Sequence, residues 1–175
     1  EVKTDVTGNC IAHKNGSGSK VMLAAHADEV GLMIHYIDER GFLYFKEIGG
    51  VDTSLLPGQR ISIEGINGPV IGVIGKKPIH IQDKTDSPRT INPEDLWIDI
   101  GAKDKKDAEQ KVHIGQVATI ISEPVLLSDQ IVASKSLDDR IGLAILISVA
   151  EKLGQTNADV YFVASAQEEL GSVGA

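Results

Sequence analysis

The sequence predicts an α/β protein that is interrupted by an all-β block. Two continuous apolar stretches, 21–25 and 158–166, are typical of strands buried on both faces of a sheet. Between 41 and 122, short β-branched runs alternate with glycine and proline, as in a small antiparallel barrel or sandwich. The simplest arrangement is a discontinuous α/β domain, formed by residues 1–40 and 123–175, with an inserted β domain at 41–122.

The segments between these landmarks follow from turn and helix signals. The sequence of residues 2–37 predicts several strands, which are separated by glycine- and asparagine-rich turns at 7–9 and 14–20. Within the β block, residues 103–112 predict one short amphipathic helix.

After the β block, residues 137–154 predict a helix that is apolar on nearly every side and ends at Gly154. The apolar strand 158–166 follows directly. A strand, a helix and a second strand with continuous apolar runs indicate a βαβ unit, which requires a parallel or mixed sheet.

Composition excludes several classes of partner. The chain has 175 residues, a net charge of -8 and 42% hydrophobic residues, and nothing basic is clustered, so neither nucleic acid nor an anionic membrane is expected as a partner. No stretch approaches the roughly 18 apolar residues of a membrane span. The single cysteine, Cys10, excludes an intrachain disulfide and favours a reducing, cytoplasmic compartment. We interpret it as a small buried hydrophobe.

Three groups of polar residues stand where ligands bind in open α/β sheets, at strand ends or at the start of a helix. The first is His26 with Asp28, after the strand at 21–25. In an H-x-D pair on extended backbone both side chains point to one face, so the carboxylate can hold the imidazole. The structural alternative is a satisfied histidine at the end of a strand.

The other two groups are pairs of acidic residues. Asp138 and Asp139 precede the apolar helix, where helix capping alone would explain them. Glu168 and Glu169 follow the last strand. One glutamate there would be an ordinary solvated residue, but two adjacent like charges beside a buried strand are costly unless a positive group lies near them.

Taken together, the three groups form a hard-ligand set suited to zinc or cobalt. Two dications roughly 3.5–4 Å apart need a bridging carboxylate between them, and each needs a ligand of its own. A further carboxylate that binds no metal can accept a proton from metal-activated water. The adjacent glutamates would then have different roles, one as base and one as ligand.

Six stretches of the chain, in order, carry a family resemblance: AAHADEVGLM, GGVDTSLLPGQRISIEG, GVIGKKPIH, LWIDIGA, KSLDDRIG and SAQEELGSVGA. They resemble the tetrahedral (TET) aminopeptidases, binuclear metallopeptidases that include glutamyl, leucyl and deblocking aminopeptidases, some of them labelled endoglucanase. The resemblance implies an aminopeptidase-like mixed-sheet domain. It also implies that the inserted β domain helps to assemble dimers into a homo-oligomeric, hollow dodecamer.

The same resemblance implies the residue roles. His26 is a ligand of one metal ion and Asp28 orients it. Asp138 bridges two divalent metal ions, zinc or cobalt, in each subunit. Glu168 is the general base and Glu169 binds the other metal ion.

The resemblance further implies a longer protein. Family members run to roughly twice this length, and they supply one more Asp and one more His ligand after the two glutamates. We therefore expect the 175-residue piece alone to bind metal weakly, to aggregate and to hydrolyse no aminoacyl substrate. His80, in a stretch that departs slightly from the family pattern, is assigned no metal role.

The sequence thus predicts a cytoplasmic aminopeptidase that removes N-terminal residues from peptides by attack of a metal-bridged hydroxide. One alternative is a co-catalytic deacylase or deacetylase, which would not depend on a free α-amine in the substrate. Another is a non-catalytic fragment that serves only assembly. A glycosidase is disfavoured, because adjacent Glu168 and Glu169 beside His26 suit a metal better.

Overall fold

The structure, a computed structural model, describes residues 1–77 and 91–175. The chain divides into two compact units, which are Glu1–Glu29 with Glu123–Ala175 (unit 1) and Val30–Ser122 (unit 2). The first boundary therefore lies between 29 and 30, and not between 40 and 41 as the sequence predicted. The reason is that the strand at 31–37 pairs within the β block. His80 lies outside the described residues.

The described residues form twelve strands and two α-helices, numbered here in chain order. The strands are β1 (Val2–Thr4), β2 (Cys10–Lys14), β3 (Lys20–His26), β4 (Gly31–Ile37), β5 (Leu43–Ile48), β6 (Arg60–Gly65), β7 (Gly68–Lys76), β8 (Leu96–Asp99), β9 (Val117–Ile120), β10 (Val125–Ser128), β11 (Ile131–Ala133) and β12 (Asp159–Ser165). The helices are α1 (Lys105–Glu109) and α2 (Leu137–Lys152). No described helix is both long and apolar enough to cross a membrane.

Unit 1 contains a mixed sheet with the strand order β1-β2-β12-β3. Strand β12 pairs antiparallel with β2 and parallel with β3. This pairing confirms the expectation of a parallel or mixed sheet. It also places the carboxyl ends of β3 and β12 side by side. A separate antiparallel hairpin, formed by β10 and β11, belongs to the same unit.

Strand β3 is less buried than the sequence predicted. Of its apolar run 21–25 only Ala25 is buried, and Met22 is 69% exposed. The prediction of a strand covered on both faces is therefore wrong within the described residues. Helix α2 packs against β3, but the adjacent residues Val21 and Met22, which point to opposite faces, both remain exposed. Cys10, expected to be buried, is exposed at the start of β2.

Helix α2 begins irregularly, because Asp138 and Asp139 do not have helical backbone angles. The Asp139 carboxylate accepts a hydrogen bond from the backbone N–H of Gly142 at 3.1 Å, which is the contact that an N-cap residue makes. A side-chain carbon on Gly142 would collide with this carboxylate. Asp139 therefore caps the regular part of α2.

The end of α2 is held by a lysine from the sheet. The helix ends at Lys152, two residues before the predicted stop at Gly154. The ammonium group of Lys14, on β2, donates to the carbonyl oxygens of Leu153 at 2.8 Å and Gly154 at 2.7 Å. A positive charge at this end also complements the helix dipole.

Unit 2 contains a closed antiparallel barrel, whose described strands follow the order β4-β5-β8-β7-β6-β9. This confirms the predicted small antiparallel barrel. Alternate residues of each strand point into the interior, as Ile61 and Ile63 do on β6. The barrel core is aliphatic and almost fully buried, with Leu32, Ile34, Leu43, Ile61, Ile63, Ile74, Leu96 and Ile98 at its centre.

The short helix expected at 103–112 is α1. Its N-cap is Asp104, whose carboxylate accepts the backbone N–H of Asp107 at 2.9 Å. Ala108 and Val112 attach this segment to the barrel core, since both are fully buried.

Candidate metal centre

The parallel pairing of β3 with β12 brings two of the predicted groups of polar residues together. His26 ends β3 and lies opposite Ser165, which ends β12. The backbone N–H of Ala27 donates to the carbonyl oxygen of Ser165 at 2.8 Å, which extends the contact one residue beyond the strands. Glu168 and Glu169 follow Ser165 in the loop 166–174 and are therefore carried to the same edge of the sheet.

At this edge the potential ligand atoms of His26, Glu168 and Glu169 all lie within 4.8 Å of one another. All three residues are partly buried. They line a cavity of about 390 Å³, whose other lining residues are Ala24, Ala25, Asp138, Asp139, Ser165 and Ala175. One imidazole and several carboxylates therefore face one small volume.

The imidazole of His26 is held at both nitrogens. Nδ1 lies 3.1 Å from the backbone carbonyl oxygen of Asp28, and Nε2 lies 3.0 Å from a carboxylate oxygen of Asp138. Burial alone would lower the pKa of His26. The hydrogen bonds to Asp138 and Asp28, together with the negative charges of both, outweigh burial and raise the pKa above its usual value.

The side chain of Asp28 holds the glutamate loop as well as facing the imidazole. Its two carboxylate oxygens accept the backbone N–H groups of Glu168 and Glu169, each at 3.1 Å. The nearer carboxylate oxygen is 3.7 Å from His26 Nδ1, too far for a hydrogen bond. Burial would raise the pKa of Asp28, but the N–H donors of Glu168, Glu169 and Asp28 itself lower it, and the charge of His26 adds to them. Asp28 therefore contacts the His26 ring with its backbone carbonyl oxygen and not with its carboxylate.

The two aspartates at the start of α2 have different contacts. The side chain of Asp138 reaches His26 Nε2 while remaining 89% exposed. Asp139 instead accepts the backbone N–H of His26 at 3.3 Å with one carboxylate oxygen and caps α2 with the other. The peptide bond between them is cis. The two hydrogen bonds of the Asp139 carboxylate connect the end of β3 to the start of α2.

A second contact fastens the segment before Asp138, and the sequence did not point to it. The hydroxyl group of Ser136 donates to the Glu29 carboxylate, and the Lys135 ammonium lies 3.2 Å from each oxygen of that carboxylate. Ser136 has a left-handed backbone, with φ of 59°. In the sequence, Glu29 looks like an ordinary exposed acid, so only the folded chain reveals this role.

The donor set fits a divalent cation. His26 Nε2 and the nearer Asp138 oxygen are 3.0 Å apart, and two ligands of a tetrahedral zinc ion are about 3.3 Å apart. Imidazole and carboxylate groups are also the ligands that zinc and cobalt accept in proteins. The five residues to which the family resemblance assigns a role all lie at this edge of unit 1, and they are His26, Asp28, Asp138, Glu168 and Glu169.

Comparison with known proteins identifies a family. The model of the M42 glutamyl aminopeptidase family matches residues 8–175. The lysyl aminopeptidase of Pyrococcus furiosus is 41% identical over 177 residues, which cover 100% of this chain and 51% of that protein.

Solved structures give the same result for the fold. An aminopeptidase from the archaeon Desulfurococcus kamchatkensis superposes with a TM-score of 0.91 at 36% identity, over 99% of this chain and 48% of that one. The TET1 peptidase of Pyrococcus horikoshii, which can assemble into a tetrahedron or a large octahedral shell, superposes with a TM-score of 0.85 at 33% identity. That match covers 98% of this chain and 52% of the TET1 chain.

The chain spans about half the length of the curated relatives that it matches, as the 51% coverage of the Pyrococcus furiosus enzyme shows. The family match nevertheless extends over almost the whole chain and includes every residue of the candidate metal centre. The fold agrees, since a mixed sheet and a closed barrel occur in a chain that superposes on aminopeptidases at TM-scores of 0.85 and above. The chain belongs to the M42 glutamyl aminopeptidase family.

Proposed function

We propose that the natural protein is a metal-dependent aminopeptidase, which removes N-terminal residues from peptides. The observation that carries this proposal is the convergence of His26, Glu168 and Glu169 within 4.8 Å at the edge of the sheet. Membership of a family of peptidases and the aminopeptidase activity named for the relatives support it.

The proposed ligands are His26, Asp138 and Glu169, with Asp138 shared between two cations. Zinc or cobalt ions would supply Lewis acidity, which polarises a peptide carbonyl and makes water a better nucleophile. Asp28 would orient the ligands without binding metal itself. Its backbone carbonyl contacts the His26 ring, and its carboxylate accepts the backbone N–H groups of both glutamates.

The contacts of the two glutamates favour different roles for them. An oxygen of the Glu168 carboxylate accepts the hydroxyl group of Ser172 at 3.1 Å, whereas no hydrogen bond joins the Glu169 carboxylate to another described residue. A carboxylate with no hydrogen-bond partner among the described residues is available as a ligand. Glu168 would act as general base, accepting a proton from the attacking water and returning it to the leaving amine.

Two further parts of the proposal concern the whole protein. The barrel of unit 2 would mediate homo-oligomeric assembly of dimers into a dodecamer. Assembly into a tetrahedron or a large octahedral shell is described for the TET1 peptidase. Peptides would be the substrates, and the cytoplasm the compartment, because the single cysteine suits a reducing environment.

Replacing Glu168 by glutamine should abolish turnover in the natural protein and leave the metal content unchanged. The amide keeps the shape of the side chain but cannot accept the proton, and general-base catalysis is worth about 10²–10⁴-fold in rate. Hydrolysis of leucyl- or glutamyl-anilide with added cobalt, together with elemental analysis, measures both quantities. Loss of the metal together with activity would mean that the roles of Glu168 and Glu169 are the reverse.

The variants Asp138→Asn and Asp139→Asn form a matched pair at the start of α2. Asp138→Asn should lose far more metal, because an amide cannot bridge two cations with two anionic oxygens. Asp139→Asn keeps one oxygen, which can still cap α2 at the Gly142 N–H, although the His26 N–H loses its acceptor. Because this variant removes none of the proposed ligands, its metal content should fall far less than that of Asp138→Asn. Elemental analysis after dialysis compares the two, and equal losses would contradict the bridging role of Asp138.

Replacing residues 30–122 by a short Gly-Ser linker should give a smaller particle in the analytical ultracentrifuge, because the barrel is proposed to carry the assembly contacts. The Glu168→Gln variant is the control, since it alters the candidate metal centre alone and should sediment at full size. Circular dichroism should show that unit 1 remains folded in the deletion variant. A folded deletion variant that stays fully assembled would contradict the assembly role.

A further inference from the structure

The glutamate loop 166–174 rests on a turn at the start of the chain. In this turn, one oxygen of the Asp5 carboxylate accepts three hydrogen bonds, from the N–H of Thr7 at 3.0 Å, the hydroxyl group of Thr7 at 2.7 Å and the N–H of Asn9 at 3.0 Å. Gly8 has φ of 97°, a left-handed conformation that favours glycine. The turn is thus fixed internally before Asn9 leads into β2.

The side chain of Asn9 bridges the two ends of the loop. It is a buried polar residue, with 7% of its surface exposed. Its Oδ1 accepts the backbone N–H of Ala166 at 2.8 Å, and its Nδ2 donates to the carbonyl oxygen of Gly174 at 2.6 Å. Nδ2 also donates to the second Asp5 oxygen at 3.0 Å. One amide therefore closes the loop that carries Glu168 and Glu169.

Other contacts show how closely the turn and the loop fit. The amide of Gln167 donates to the carbonyl oxygen of Thr7 at 2.9 Å. A side-chain carbon on Gly174 would collide with the carbonyl oxygen of Ala166 and approach Asn9 Oδ1. Inside the loop, the N–H of Ser172 donates to the carbonyl oxygen of Glu168 at 2.7 Å. The loop has little room to move while Asn9 holds both ends.

We propose that Asn9 is a positioning residue, which fixes the Glu168–Glu169 backbone in place from the β2 side of the sheet. Asp28 holds the same backbone from the β3 side, and β2 and β3 are the two neighbours of β12. The two glutamate side chains can meet His26 only if this loop keeps its path. The consequence for metal binding rests on the proposed function, whereas the consequence for loop order does not.

The alternative is that Asn9 only stabilises the sheet, as any buried hydrogen-bonded residue does. His13 provides the control, because its Nε2 lies 2.7 Å from Asp159 and its ring stacks on Tyr161 at 4.2 Å. These contacts also join β2 to β12, but they lie at the opposite end of both strands, since Cys10 pairs with Ala164 and His13 with Tyr161. His13→Ala should therefore lower stability without disturbing the loop.

The test compares Asn9→Ala, Asn9→Asp and His13→Ala in the natural protein by Co²⁺ titration and by hydrogen exchange of peptides covering 166–174. Asn9→Ala should weaken Co²⁺ binding about tenfold or more, as loss of residues that support metal ligands does, and should speed exchange in the loop. Asn9→Asp keeps the acceptor for the Ala166 N–H but replaces the donor to Gly174 and Asp5 by an oxygen that both of them repel, so it should also weaken Co²⁺ binding and speed exchange in the loop. His13→Ala should lower the melting temperature but leave both readouts close to those of the unaltered protein.

Equal changes in Co²⁺ affinity for Asn9→Ala and His13→Ala, or no change for either, would overturn the proposal. If Asn9→Ala does not fold, Asn9→Asp supplies the same comparison. If the unaltered protein binds no Co²⁺, the proposed metal function fails, and the exchange data alone decide the role of Asn9. Faster exchange of 166–174 in the Asn9 variants alone would support it, and unchanged exchange would overturn it.

Discussion

The parallel pairing of β3 with β12 is the interaction on which the candidate metal centre depends. It sets His26 opposite Ser165, so that the chain leaving each strand emerges at the same edge of the sheet. The loop beyond Ser165 then has to turn towards β3, and the Asp28 carboxylate makes it do so by accepting two consecutive backbone N–H groups. A shift of this pairing by one residue would turn the His26 side chain to the other face of the sheet.

Electrostatics explains why this edge suits a cation. Five carboxylates, from Asp28, Asp138, Asp139, Glu168 and Glu169, gather near one imidazole in the described part of the chain. Two of them have their negative charge stabilised by the backbone, since N–H groups donate to the carboxylates of Asp28 and Asp139. Among the described residues, no backbone N–H donates to the carboxylates of Asp138, Glu168 or Glu169. Asp138 contacts His26 Nε2, and Glu168 accepts the Ser172 hydroxyl group. Divalent cations would supply the charge that like-charged carboxylates at close range require.

Much of this arrangement could be predicted from sequence because it depends on local pattern. The barrel strands, helix α2 and strand β12 each have a periodicity signal within their own stretch of sequence. The roles of the site residues were implied by the family resemblance and not by local pattern. The burial of β3 could not be predicted, because it depends on which elements pack on the two faces of the sheet. The assignment of β4 to the barrel was equally hidden, since an apolar strand pairs as readily with either unit and only the observed partners, β5 and β9, decide.

The contacts of Asn9 with the glutamate loop could not be predicted from the sequence either. In the sequence it is a turn residue, and its turn was predicted. Its partners, Ala166 and Gly174, lie 157 and 165 residues away along the chain, and only the antiparallel pairing of β2 with β12 brings them within reach. The sequence also could not predict which of Asp138 and Asp139 caps α2 and which contacts His26. Either aspartate could cap a helix, and only the backbone path decides between them.

Anomalous X-ray diffraction from crystals of the natural protein soaked in Zn²⁺ tests the central claim most directly. We expect an anomalous peak at about 2.0–2.2 Å from a His26 ring nitrogen or a Glu169 oxygen, with Glu168 outside ligand distance of every peak. Peaks bound by Glu168 in place of Glu169, or no peak at the shared edge of β3 and β12, would contradict it.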